Sequence, residues 1–153
     1  MTHQQPRLDA ATLVPATYRA FAAADRATRR GDLPPAIGDL VRLRASQING
    51  CGFCVDMHAH DAREAGETDE RLFSVAAWRE APWFTAAERA ALALTEAATR
   101  LADRSDAVPD AVWQEAAAQF DETQLAELVT TIAMINAWNR IGVTTRLVAG
   151  SHR

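Results

Sequence analysis

The stretch Leu40-Val41-Arg42-Leu43-Arg44-Ala45-Ser46-Gln47-Ile48-Asn49-Gly50-Cys51-Gly52-Phe53-Cys54-Val55-Asp56-Met57-His58 decides how this chain reads. Leu40, Val41 and Leu43, with Ile37 upstream, recur at helical spacing, and Asn49-Gly50 breaks that helix. A new helix follows from Cys51 to about Ala65, stopped by Gly66. Both cysteines of the chain therefore fall in a first helical turn. Free backbone N–H groups and the positive end of the helix dipole favour a thiolate there. Two thiols at this spacing can close a short, reducible disulfide, so an attacking thiol has a partner that resolves its oxidised form. At about 100° per residue, His58 lies about 40° around the axis from Cys54 and about 20° from Cys51. The three side chains share a face, and an imidazole one turn from Cys54 can take its proton directly or through a water. His60 and Asp56 fall on another side. Two buried inert thiols would produce the same pattern. So would three ligands of a zinc site, although no second cysteine pair or clean fourth ligand accompanies them.

Helical signals continue in both directions. Upstream, apolar residues recur from Val14 to Arg30 through Tyr18, Phe21 and Ala22, ending at Gly31. Pro34 and Pro35 open the helix that contains Leu40, since proline suits a first turn. Downstream, Thr68 can cap a helix with Leu72, Phe73, Val75 and Trp78, stopped by Pro82. Thr85 and Glu88 have capping-box spacing and open a helix that reaches about Asp103. Pro109 starts a short helix through Val112, Trp113 and Phe120. Asp121 with Gln124 marks the last and most apolar helix, from Leu125 through Ile132, Ile135 and Trp138 to Val143. No strand alternation, repeat or dividing linker appears. The expectation is an all-α fold: a flexible lead over residues 1–11, then one compact bundle of about six to seven helices over residues 12–153.

Composition sets further bounds. A chain of 153 residues with 48% hydrophobic and 24% charged residues is one globular domain, and its abundant alanine favours helix. The net charge of −4 and the absence of a basic stripe argue against a nucleic-acid partner. The most apolar segment falls short of the ~20 residues that span a bilayer, so no membrane partner is expected. The N-terminus has no signal-peptide run, so a cytoplasmic location is expected. No nucleotide, flavin or metal motif appears, so no cofactor and no metal is expected.

The quoted stretch resembles the carboxymuconolactone decarboxylase-like superfamily, most closely its alkylhydroperoxidase D-like branch. Ser46-Gln47-Ile48-Asn49-Gly50-Cys51 followed by Cys54 and His58 carries the likeness. Ile135-Asn136-Ala137-Trp138-Asn139-Arg140, Ala77-Trp78-Arg79-Glu80 and Phe84-Thr85 with Glu88-Arg89 extend it over about residues 12–148. The resemblance implies an all-helical homo-oligomer, trimer or hexamer, with peroxidase or disulfide-reductase activity. By that resemblance Cys54 is the attacking thiol, Cys51 the resolving thiol and His58 the base. The family's relay glutamate, twelve residues before the first cysteine, is matched here by Asp39, one methylene shorter. At the residue before the second cysteine, where the characterised peroxidase branch can carry a histidine, this chain has Phe53. The expected partners are a small-molecule hydroperoxide and an external dithiol reductant. A decarboxylase-like enzyme acting on a small lactone or acid, and a non-catalytic redox sensor, are the rival functions.

Overall fold

The computed structural model describes residues 5–102 and 104–152. Every regular element among them is helical: α1 (Ala10–Leu13), α2 (Pro15–Ala27), α3 (Pro35–Asn49), α4 (Gly52–Glu64), α5 (Asp69–Ser74), α6 (Ala86–Thr99), α7 (Asp110–Ala117) and α8 (Glu122–Thr145). A 3-10 turn at Val75–Ala77 extends α5. The fold class is all-α, as expected, with one element beyond the expected six to seven. The addition is α1, a single turn whose free N–H groups at Ala11 and Thr12 are accepted by the Asp9 carboxylate. The lead expected over residues 1–11 is tied down from Arg7, whose backbone N–H donates to the Thr145 carbonyl at 2.7 Å. Residues 1–4 of that lead lie outside the described residues. The helix expected to reach Asp103 ends at Thr99, and Asp103 itself is not among the described residues.

The sequence signals act through identifiable bonds. Thr85 and Glu88 form a complete capping box at the start of α6, and Asp121 and Gln124 form one at the start of α8. Each satisfies two backbone N–H groups that the helix leaves free. The Thr68 hydroxyl accepts from the Arg71 N–H at the start of α5. Gly50 ends α3 in the left-handed region at φ 67°, which glycine adopts without steric penalty.

At the centre lies α3, packed against α4, α6 and α8. Ile37 and Val41, one turn apart, join a core with Leu94, Leu128 and Ile132. Leu40 and Leu43 look the other way, into a core with Ala62, Leu72, Val75, Trp78 and Leu92. One amphipathic repeat thus serves two cores. Beside the second core, the Glu96 carboxylate accepts from Arg44 (2.7 and 2.9 Å), Trp78 Nε1 (3.0 Å) and Arg79. The sequence suggests that α8 is apolar on several sides. Within the single chain its buried residues are Leu125, Leu128, Thr131, Ile132, Ile135, Asn136, Asn139, Gly142 and Thr145, one stripe about half the circumference wide, while Val129 and Val143 stay exposed. Two asparagines and a glycine occupy that stripe just where it crosses the two cysteines.

Candidate active site

A two-residue corner builds the site. Gly50 N–H donates to the Gln47 carbonyl, and Cys51 N–H donates to the Ser46 carbonyl at 3.1 Å. This closes α3 with a reversed turn in which the last carbonyls are satisfied. Cys51 emerges extended (φ −83°, ψ 92°) and becomes the N-cap of α4. Its sulfur accepts from the Cys54 backbone N–H at 3.4 Å, as a serine or threonine oxygen would. Cys54 sits in the first turn. Both thiols are free and buried, 2% and 3% exposed.

The α8 stripe backs the sulfurs. A Cβ added to Gly142 would lie 2.8 Å from Cys51 Sγ and 3.6 Å from Cys54 Sγ. The absent side chain is the space that Cys51 uses. Asn139, one turn earlier and 1% exposed, is buried on the same helix face.

In front of Cys54 opens a cavity of about 300 Å³. Tyr18, Ala22, Phe53, Met57, Trp138 and Leu147 give it an apolar wall, and Cys54 and His58 also line it. Trp138 is held by the ring edges of Tyr18 and Phe21, at 5.1 and 4.8 Å between centroids. Arg29, paired with Asp25 at 3.4 Å, and Asp61 supply charge at the same cavity.

The two thiols titrate as a pair. The Cys54 thiol donates to Cys51, and with the Cys54 backbone N–H and Asn139 it lowers the Cys51 thiol to about 7 against the cost of burial. Cys54 moves upward, because it gives its hydrogen to Cys51 and is itself buried. The pair therefore loses one proton readily and holds the other between two sulfurs. Burial lowers the pKa of His58, opposed by the nearby Asp61, so the imidazole is neutral at neutral pH. That differs from a resting thiolate–imidazolium ion pair.

Of the four residues singled out from the sequence, Cys54 and His58 share the cavity and Cys51 lies behind Cys54. Asp39 does not line this cavity. Its carboxylate pairs with the buried Arg42 at 3.5 Å, and burial raises its pKa. His58 acts on it through charge. The carboxylate beside His58 is Asp61, with Oδ2 3.7 Å from Nδ1, beyond hydrogen-bond range. Nδ1 itself is buried without a hydrogen-bond partner. Sequence reasoning missed Asp61, although one helical turn separates it from His58. It also missed Asn139 and Gly142, whose signal was their polarity and smallness inside an apolar helix. No sequence signal marked α2 as the cavity wall. Among the described residues, no group of three or more His, Cys, Asp or Glu side chains is arranged to hold a metal ion, and no helix is long and apolar enough to cross a membrane.

An all-helical bundle with a Cys-x-x-Cys pair at a helix start and a histidine one turn on defines a class of paired-thiol proteins. The chain belongs to the carboxymuconolactone decarboxylase family, on its alkylhydroperoxidase D-like side; the family profile matches residues 14–97. The uncharacterized protein YdfG of Bacillus subtilis is 38% identical over 119 residues, which cover 78% of this chain and 80% of YdfG. The crystal structure of ATU0492 from Agrobacterium tumefaciens, a protein of unknown function associated by name with the antioxidant defence protein AhpD, superposes with a TM-score of 0.90. It is 33% identical, and the match covers 95% of this chain and 98% of that one. The debrominase Bmp8 shares the fold at a TM-score of 0.77 and 18% identity, over 90% of this chain and 73% of its own.

Proposed function

We propose that this protein is a thiol-dependent hydroperoxide reductase, in which Cys54 attacks, Cys51 resolves and His58 carries the proton. The observation that carries the reading is the thiol pair at the start of α4, with one sulfur and a neutral imidazole on the same cavity. The AhpD name attached to the Agrobacterium relative adds support. The Bmp8 likeness is one of fold alone, and a fold does not choose a reaction.

In the proposed cycle His58 takes one proton from the pair. The remaining proton passes to Cys51, leaving the thiolate on Cys54, where the cavity meets it. This thiolate attacks the terminal oxygen of the hydroperoxide and breaks the O–O bond. The alcohol leaves with the proton returned by His58, and Cys54 becomes a sulfenic acid. A histidine with a lowered pKa returns that proton readily. The Cys51 thiol then condenses with the sulfenic acid to form the Cys51–Cys54 disulfide and water. An external dithiol restores both thiols by exchange. The wall of Tyr18, Met57, Trp138 and Leu147 suits a hydroperoxide with a bulky apolar group.

Turnover of cumene hydroperoxide and of hydrogen peroxide, with dithiothreitol as reductant, tests the reading. Catalytic consumption, faster for the cumene compound, is expected. Cys54→Ser abolishes it, and Cys51→Ser gives one oxidation event without a disulfide. Full turnover in both variants overturns the proposal.

A further inference from the structure

Asn139 stands one turn before Gly142 on α8, and residues three apart share a helix face. It therefore lies on the face of α8 against which the two sulfurs pack at Gly142. The orientation of its carboxamide follows from a chain of hydrogen bonds anchored at two backbone carbonyls. At one end, Asn136 Nδ2 donates to the Ile132 carbonyl at 2.9 Å. A carbonyl only accepts, so Asn136 presents Oδ1 to Asn49. Asn49 Nδ2 then donates to Asn136 Oδ1 and to Asn139 Oδ1, both at 2.9 Å. At the other end, the Ser46 hydroxyl donates its one hydrogen to the Arg42 carbonyl at 2.7 Å. Toward Asn139 it therefore accepts, from Nδ2 at 3.0 Å. Both ends demand the same orientation, with Asn139 Oδ1 on Asn49 and Nδ2 on the Ser46 side.

Nδ2 carries two hydrogens, and Ser46 takes one. We propose that Asn139 donates the second to the Cys51–Cys54 sulfur pair and holds the thiolate there, which makes it a catalytic residue of the thiol chemistry. The inference deepens the proposed function, since it names the group that receives the charge. Asn139 acts on both thiols in the sense that favours the anion. A donor held at both ends does not have to reorient when the charge forms, and in a buried site such a preset dipole is most effective. Asn49 and Ser46 are positioning residues. They act through Asn139, and Ser46 also supplies the carbonyl that takes the Cys51 N–H.

The test is the pH dependence of iodoacetamide alkylation of the reduced protein, with the melting temperature measured in parallel. Asn139→Ala is expected to move the alkylation midpoint up by about one unit, which slows the rate at pH 6 about tenfold. The limiting rate at high pH stays that of the unmodified protein. Asn139→Asp, which sets a carboxylate against the sulfurs, shifts the midpoint further. Asn49→Ala unlocks the carboxamide without removing it and gives an intermediate shift. A residue that merely packs would lower the melting temperature and leave the midpoint in place. An Asn139→Ala profile that superimposes on the parent curve overturns the proposal. Should that variant not fold, an Asn49→Ala profile that superimposes does the same. Alkylation involves no peroxide, so the peroxidase reading and this one fail separately. Unshifted midpoints with intact turnover remove Asn139 alone, and shifted midpoints without any turnover remove the peroxidase alone.

Discussion

Replacing Gly142 with alanine puts one methyl group where the Cys51 sulfur now packs. The new Cβ would stand 2.8 Å from Cys51 Sγ, and ordinary contact begins at 3.4 Å, so the sulfur or the helix must retreat by about 0.6 Å. Cys51 is 2% exposed and lies behind Cys54, away from the cavity, so little free space receives its sulfur. Two energies of opposite sign follow. Glycine to alanine inside a helix stabilises by ~1 kcal/mol. Overpacking a closed site costs ~1–3 kcal/mol. The net loss is about 0–2 kcal/mol, or at most about 8 °C of melting temperature for a chain of this size. The protein remains folded, and the effect shows at the thiols. The retreating sulfur lengthens the 3.4 Å bond from the Cys54 N–H and weakens the cap that helps hold the Cys51 thiol at about 7. Alkylation against pH should then shift upward by about half a unit to one unit, or about three- to tenfold in rate on the acid side. Disulfide formation, followed in dithiothreitol redox buffers, should become more favourable, because the reduced pair loses part of its thiolate stabilisation. The refuting result is a variant more stable by the full ~1 kcal/mol of helix propensity with an unshifted alkylation curve. The sulfurs would then not rest on α8.

Three other outcomes are expected. Asp61→Asn should depress the His58 titration, followed by NMR, more than Asp39→Asn does, because Asp61 is 3.7 Å from the ring and Asp39 pairs with Arg42; the reverse order would return the relay to Asp39. The lowered pKa of His58 means that the unfolded chain binds a proton below its ordinary value of 6.5 while the folded chain resists. Stability should therefore fall as pH drops below 6.5 and stop falling on this account once the folded pKa is passed. His58→Gln should remove that component, so equal losses in urea unfolding between pH 7 and pH 5 for both proteins would refute a buried neutral imidazole. Glu96→Gln should cost about 2–4 kcal/mol in chemical denaturation, since Arg44 and Arg79 lose their charged acceptor at a carboxylate only 9% exposed; a change within about half a kcal/mol would show that solvent already screens it.

The helices and the grouping of Cys51, Cys54 and His58 at one helix start were legible because their causes are local. Capping at Thr85 and Asp121, the Asn49-Gly50 break and the spacing of Cys51, Cys54 and His58 all act within a turn or two of chain. The α1 turn escaped notice because four residues give no periodicity. Phe73 falls in the expected helix yet is 81% exposed, since α5 is too short to bury a full stripe. What stayed hidden depends on distant packing. Asp39 sits at the family's relay position, but its partner is set by the burial of Arg42. Asn139, Gly142 and the aromatic contacts of Trp138 gain their meaning only when α8 and α2 close over α4.

That last dependence bears on how the protein is made. The thiols lie in the first half of the chain, while the glycine and the carboxamide behind them are contributed roughly ninety residues later. A chain growing from its N-terminus displays Cys51 and Cys54 well before α8 exists. In that interval they are ordinary thiols with pKa values near ~8.5, largely protonated and slow to react with peroxides. Under the proposed function α8 supplies the groups that activate the thiols, and it closes the sulfurs off from bulk solvent in the same step.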